Sequence, residues 1–192
     1  MEGGAPYRRG PIDIDRRQRF VMSWVWELPT VNSDNGFVRH AVNGWQWTGM
    51  GQFQTGSPLI IESGRDNGRS GINDDRAILT GESLDAPAGA DKRVAFNRDA
   101  FARNPVGTFG TAGVGILTGP HLYTFDMGIF KSFQFTERIR LQFRSEFFNI
   151  FNQTNFRNPN TNLSSGGFGK ITQTHNFAGD PRLIQFGLKL FF

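Results

Sequence analysis

The stretch Ile184-Gln185-Phe186-Gly187-Leu188-Lys189-Leu190-Phe191-Phe192 alternates between apolar and mixed positions up to the last residue. Every second residue, from Ile184 to Phe192, is a large apolar side chain, and this period places them on one face of a β-strand. Gln185, Gly187 and Lys189 share the other face, which is too polar for a core packed on both sides. The segment fits two structures equally well: a strand between lipid and a wet lumen, or the last strand of a soluble sandwich.

The composition excludes several classes of protein. The 192 residues include 24 Gly and 20 Phe but no Cys, so disulfides and thiolate metal sites are excluded. No apolar run approaches the roughly 18 residues that a transmembrane helix needs. A mean hydropathy of −0.40 is still compatible with membrane strands, in which half of the residues are polar. The net charge of +4 is modest and its basic residues are scattered, so we predict no nucleic-acid partner.

Five segments read as long β-strands, and they decide the predicted fold class. Segment 138–151 is the clearest, because Ile139, Leu141 and Phe143 alternate with charged and polar residues, which a helix would spread around its circumference. The other four strands are predicted at 18–28, 44–54, 122–135 and 184–192. These segments exceed the usual five or six residues and suit the roughly 9–11 that cross a bilayer at a tilt.

The connections between these strands alternate in length. Those at 29–43 and 136–137 are short and predict turns, whereas 62–119 and 152–182 are long and polar. Segment 62–119 lacks sustained periodicity, which is typical of a functional loop or a disordered segment. Short extended pieces are expected around 59–61 and 168–174.

These patterns predict an all-β fold: an antiparallel up-and-down meander of about five long transmembrane strands, an incomplete segment of an outer-membrane β-barrel. Five strands should not close, because such barrels start at about eight. The short turns and the C-terminus are assigned to the periplasmic side, and 62–119 becomes a long extracellular loop.

Five sequence blocks carry a family resemblance in the same order along the chain. They are Asp15–Val21 with Glu27–Pro29; Gly44–Gln46 with Phe53–Pro58; Phe101 with Gly107–Gly110 and Leu117–Pro120; Arg140–Asn152 with Asn155 and Phe156; and Phe168–Ile171 with Pro181–Lys189. Together they resemble the C-terminal end of the barrel of Oar-like TonB-dependent outer-membrane receptors.

The resemblance implies that residues 1–192 are a C-terminal barrel segment without plug, TonB box or signal peptide. Its implied partners are outer-membrane lipid, the rest of the barrel and the plug, and the barrel-assembly machinery, which reads the C-terminal strand. Contact with TonB is expected only through N-terminal parts of such a receptor. The implied location is the outer membrane of a Gram-negative-type bacterium, and the implied function is uptake or binding of an unidentified large solute.

One group of residues is predicted to face the lumen. It consists of Arg138, Arg140, Gln142, Arg144 and Glu146. This charged wall contacts a plug or a passing solute in one interpretation. The interpretation favoured by the sequence alone is a solvated wall without a specific ligand, since large barrels generally have polar lumens.

A second group is predicted to face the membrane or its interface. It consists of Trp26, Trp45, Leu141, Phe143, Ile184, Phe186, Leu188, Leu190 and Phe192. Trp26 and Trp45 lie nearest the 29–43 turn, and for them we favour an aromatic girdle at the periplasmic interface over ordinary sheet packing.

No residue pattern indicates catalysis, a cofactor or a metal. Asp66, Asp74 and Asp75 lie in a Gly-rich loop but lack the spacing of a calcium loop, and His40, His121 and His175 lack ligand spacing. We therefore expect a protein that is not an enzyme. Two functions remain open: a receptor fragment, or a soluble structural or adhesive β-sheet protein without a transport role.

Overall fold

The computed structural model describes residues 10–71, 73, 75–175 and 181–192. The elements are β1 (Arg19–Glu27), α1 (Gly36–Val42), β2 (Trp45–Gln54), β3 (Pro58–Leu59), β4 (Ile78–Leu79), a 3-10 helix (Arg98–Ala100), β5 (Phe101–Ala102), β6 (Leu117–Thr118), β7 (Leu122–Gln134), β8 (Arg140–Phe148) and β9 (Leu183–Phe191). The described residues form two compact units. The sheet unit comprises residues of 19–53, 122–155 and 176–192, and the loop unit those of 1–18, 54–121 and 156–175.

The sheet unit is an antiparallel meander of the five long strands in the order β1-β2-β7-β8-β9. The predicted fold class is confirmed. The largest difference in strand bounds is at β8, predicted at 138–151 and observed at Arg140–Phe148. Among the described residues β1 and β9 each have one neighbouring strand, so the sheet is open at both edges.

The strand register separates the side chains into two faces. Phe143 lies opposite Lys131 of β7 and Leu188 of β9, in an apolar row broken only by the lysine. The next row pairs Gln142 with Ser132 and Lys189. We call the side that carries Phe143 and Leu188 the apolar face and the side that carries Gln142 and Lys189 the polar face. One side of this sheet is therefore suited to an apolar environment and the other to water.

The connection between β1 and β2 contains a helix, whereas the sequence predicted only a turn. The Asn35 side chain caps α1 by accepting hydrogen bonds from the backbone N–H groups of Phe37 at 3.0 Å and Val38 at 3.4 Å. Asn43 exchanges hydrogen bonds with both backbone groups of Val31, at 2.7 and 3.0 Å. A helix of seven residues is too short to show a clear period, which is why the sequence pattern missed it.

The loop unit has a hydrophobic core of its own, although segment 62–119 shows no sustained periodicity in the sequence. Phe96 is 1% exposed and packs edge-on against Phe101 and Phe168, with ring centroids 5.6 and 5.2 Å apart. Ile61 and Leu59 are also buried in this cluster. Two short antiparallel pairs, β3–β6 and β4–β5, tie distant parts of the unit together.

Polar side chains replace regular strand ladders in much of the loop unit. Asp75 accepts hydrogen bonds from the Gly68 backbone N–H at 2.6 Å and from the Asn104 amide at 3.1 Å. The same Asn104 amide donates to the Thr108 carbonyl at 2.7 Å. Such bonds satisfy buried backbone groups without helix or sheet, so the unit is ordered although its sequence is not periodic. Segment 168–174 contributes isolated bridges only, such as Val94 with Lys170.

Candidate lumen and membrane faces

The predicted lumen residues of β8 lie together on the polar face. Arg144 forms an ion pair with Glu146 at 2.7 Å, and its guanidinium lies 4.7 Å from the centre of the Phe130 ring. The Gln142 amide nitrogen is 3.5 Å from the Ser132 hydroxyl. Arg140 lies over the ring of Phe191, 4.3 Å from its centre. The structure thus brings four of the five predicted residues onto one surface.

Arg138 is the fifth predicted residue, and it lies in the turn rather than in a strand. The backbone N–H groups of Phe135 and Thr136 both donate to the Ile139 carbonyl, which closes the turn before β8 begins. The Arg138 N–H donates to the Thr136 hydroxyl at 3.3 Å. The expected strand position of Arg138 is therefore corrected to a turn position.

The polar face has the chemistry of a hydrated wall. Both members of the Arg144–Glu146 pair are partly exposed, at 38% and 27% of their side-chain surfaces. An ion pair of this kind contributes roughly 0–1 kcal/mol, because water screens both charges. Its positive and negative groups suit a wall that contacts water and polar solutes.

The apolar face exposes large side chains across β8 and β9. Phe186 is 66% exposed and Leu188 71%, and the exposed set continues with Phe143, Ile184 and Leu190. The rings of Phe143 and Phe186 stack at 6.1 Å with an interplanar angle of 16°, and Leu141 lies between exposed and buried. A contiguous apolar surface of this kind marks contact with a membrane or a partner.

Sequence reasoning singled out Phe192 but missed its neighbour Phe191. Strand β9 ends at Phe191, and Phe192 follows it with 97% of its surface exposed. Phe191 lies on the polar face, where the cations of Arg140 and Lys189 lie 4.3 and 4.8 Å from its ring centre. The register with β8 brings Arg140 to this ring, and alternation within one strand gives no signal for that contact. Lys189 lies two residues before Phe191 on the same face of β9.

The tryptophans form an aromatic cluster at the α1 end of β1 and β2. Trp47 contacts Trp24 at 5.4 Å and Trp26 at 6.1 Å between ring centres. Trp26 is 52% exposed, and the Trp45 indole N–H donates to the Ala41 carbonyl at 2.9 Å. Gly49 makes room for this cluster, because a Cβ there would lie 2.2 Å from the Trp24 ring.

Lys131 is the second residue that sequence reasoning missed, because a single lysine among the apolar residues of β7 gives no signal of a binding role. It is 3% exposed, and its ammonium donates to the carbonyls of His40 at 2.6 Å, Ala41 at 3.1 Å and Asn43. The rings of Trp45 and Phe133 lie 5.0 and 5.2 Å from the same nitrogen. The lysine thus binds the last carbonyls of α1.

The acidic residues of the Gly-rich loop serve the fold of that loop. Asp66 accepts from the backbone N–H groups of Gly71 at 2.9 Å and Ser70 at 2.7 Å, and these bonds lower its pKa. Asp75 is directed into the loop unit, and Asp74 lies outside the described residues. Throughout the described part of the chain, no three His, Cys, Asp or Glu side chains are grouped closely enough to hold a metal.

Comparisons with known proteins give one match. A family model described as an outer membrane beta barrel domain matches residues 4–185, which include β1 to β8 and the start of β9. Neither the curated proteins nor the solved structures gave a match. No helix among the described residues has the length and apolar character needed to cross a membrane.

Proposed function

The chain belongs to the outer membrane β-barrel domain family, and we propose that it is the C-terminal barrel segment of a TonB-dependent receptor. The receptor imports or binds a large solute whose identity the sequence does not specify. Five ordered sequence blocks that resemble Oar-like receptors support this finer assignment. The competing function is a soluble structural or adhesive β-sheet protein, which the family membership disfavours.

The division of one sheet into a polar and an apolar face is the observation that carries the proposal. A soluble sandwich would cover its apolar side with a second layer. Phe186 and Leu188 instead stay largely exposed, while Arg144 and Glu146 line the opposite side. Lipid outside and water inside satisfy both faces at once.

The open edges of the sheet support a place in a larger barrel. Strands β1 and β9 each have a free side among the described residues, and exposed edges are rarely tolerated in isolated proteins. The proposed partners are further strands of the same receptor and its plug, with TonB bound through N-terminal parts outside this sequence. The barrel-assembly machinery reads strand β9, and the protein lies in the outer membrane.

The loop unit is the proposed extracellular, solute-facing part of the chain. Its core, built on Phe96 and Phe168, holds a polar surface in a fixed shape. Binding loops supported by a rigid scaffold are the usual location of recognition. We propose no catalysis and no cofactor, because the sequence carries no motif with catalytic or ligand spacing, and no nucleic-acid partner, because its basic residues are scattered.

Cross-linking at the β9 edge tests the proposal. Because the chain has no cysteine, Gln185→Cys places a single thiol on the polar face of the edge strand. In outer membranes it should cross-link to another strand of the receptor. The matched control is Gln142→Cys, whose strand lies between β7 and β9, so that its cross-links should stay within this chain. Recovery of the chain in the soluble fraction, or a cross-link between β9 and its own β1, would contradict the proposal.

A further inference from the structure

We propose that helix α1 is an interfacial membrane anchor, which lies on the lipid side of the barrel wall and inserts Phe37 into the periplasmic leaflet. This inference rests on the proposed function, because it assigns lipid to the apolar face. It adds a second, non-strand contact with the bilayer at the end of the sheet where β1 turns into β2.

The position of Lys131 places α1 on the apolar side of the sheet. Lys131 stands opposite Phe143 in the register, and Ile129 and Phe133 lie two residues to either side of it on the same face. Its ammonium reaches the carbonyls of His40 and Ala41 in the last turn of α1. A side chain that leaves the apolar face can reach these carbonyls only if the end of the helix covers that face.

The chemistry of this contact suits a site without water. The last carbonyls of a helix lack partners inside the helix, and their aligned dipoles attract a cation. Lys131 supplies the cation, and the Trp45 indole supplies a further donor to Ala41 at 2.9 Å. In turn, the carbonyls and two aromatic rings surround a charge that is costly on a lipid-facing strand. The lysine and the helix end thus satisfy each other in an apolar setting.

Helix α1 carries apolar side chains that remain exposed among the described residues. Phe37 is 81% exposed, Val42 42% and Val38 36%, and no residue of α1 is buried. Arg39 supplies a positive charge on the same short helix, as amphipathic helices at anionic lipid surfaces do. Lipid is the occupant that fits, because α1 continues the apolar face of the sheet, and outer-membrane barrels turn an apolar face toward the bilayer.

Fluorescent labelling of single cysteines tests the anchor. The barrel that contains this cysteine-free chain is reconstituted into vesicles of phosphatidylethanolamine and phosphatidylglycerol, with an environment-sensitive label at Phe37→Cys. The matched controls are Phe186→Cys on the apolar face and Phe109→Cys in the loop unit, which replace phenylalanines 66% and 53% exposed. Quenching by lipids with spin labels on the acyl chain is compared with quenching by aqueous iodide.

The label at position 37 should respond as at 186: strong lipid quenching, and iodide quenching several-fold weaker than at 109. Iodide quenching at position 37 equal to that at 109, with lipid quenching kept at 186, overturns the anchor but leaves the proposed function standing. Loss of lipid quenching at 186 overturns both. Iodide protection at 37 that disappears when the protein is diluted in lipid indicates a second copy of the chain and also overturns the anchor.

The role of Lys131 as a positioning residue has its own test. Lys131→Met keeps a long side chain without the ammonium, and it should increase iodide quenching at position 37 several-fold while leaving position 186 unchanged. Lys189→Met, on the polar face, is the control and should change neither. Trp45→Phe removes the indole donor but keeps an aromatic ring, and it should give a smaller increase. This variant keeps the test decisive if Lys131→Met does not assemble. Unchanged quenching in both Lys131→Met and Trp45→Phe overturns the positioning role.

Discussion

The loop unit buries its aromatic side chains, whereas the sheet unit leaves much of its apolar face exposed. Phe96 and Phe168 are 1% and 3% exposed in the loop unit, but Phe186 and Leu188 are 66% and 71% exposed in the sheet unit. Residues of the same chemical kind therefore have opposite surroundings within one chain. The loop unit, which has no regular sequence pattern, has a hydrophobic core of its own. The sheet unit, which has the strongest pattern, needs another molecule or lipid to bury its apolar face.

This contrast separates two sources of stability. The loop unit gains from removing apolar surface from water, like any small soluble fold. The sheet unit gains from its backbone hydrogen bonds and from transfer of the apolar face into lipid, where unsatisfied backbone groups are very costly. Substitutions that act on one source should leave the other unit intact.

The largest expected effect is in the core of the loop unit. Phe96→Ala should lower the free energy of unfolding of that unit by about 3–5 kcal/mol, because it removes two ring contacts and leaves a cavity. Hydrogen exchange should show faster exchange at loop-unit amides with sheet amides unchanged. Phe109→Ala, at a half-exposed phenylalanine of the same unit, is the control. Equal exchange in the two variants would show that the unit has no independent core.

A lysine on the apolar face should have the next largest effect. Leu188→Lys places a charge where lipid is expected and should cost about 2–4 kcal/mol near mid-membrane. Lys189→Gln, on the polar face, should have little effect. The measurement is the heat-modifiable folded fraction in outer membranes. Equal folding of the two variants would contradict the assignment of the apolar face to lipid and of the polar face to the lumen.

A smaller loss of stability is expected at Gly49, which leaves space for the Trp24 ring of the tryptophan cluster. In Gly49→Ala the new methyl group would meet the Trp24 ring at 2.2 Å, and such overpacking costs about 1–3 kcal/mol. Gly187→Ala is the control in the same sheet, because the nearest atom, the Arg144 Cβ, lies 4.0 Å away. Near-ultraviolet circular dichroism and the denaturation midpoint should change in the first variant alone.

The smallest expected effect is a change in the pKa of Asp91, whose titration reports whether the loop unit is folded. The side chain of Arg93, and then its backbone N–H, hold the pKa of Asp91 at about 2, below its ordinary 3.8. Because the folded pKa is lowered, the stabilisation is present above the ordinary pKa and is lost as the pH falls through about 2. Arg93→Gln should raise the pKa measured by NMR, and Lys92→Gln should not.

The same titration sharpens the comparison of the two units. If the loop unit folds independently, the low pKa of Asp91 persists in Leu188→Lys protein that fails to assemble. An ordinary Asp91 pKa in that protein would show that the loop unit needs the assembled sheet.

The long strands and their faces could be read from the sequence because each strand repeats its signal. Alternation over segment 138–151 placed Leu141 and Phe143 on one face of the strand and Arg140 and Arg144 on the other. It did so without any knowledge of the neighbouring strands. The core of the loop unit gave no such signal. Ile61, Phe96 and Phe168 are far apart along the chain and follow no period, so only tertiary contacts bring them together.

Three features required the tertiary structure. Helix α1 is too short to show a helical period in the sequence. The contact between Phe191 and Arg140 depends on the strand register. The role of Lys131 becomes clear only when the end of α1 lies beside its ammonium. In each case the cause is a contact between segments that are separated in sequence. Local alternation therefore determined the strands and the chemistry of each face. Only the tertiary structure decided which side chains are buried, because burial depends on what distant parts of the chain bring into contact.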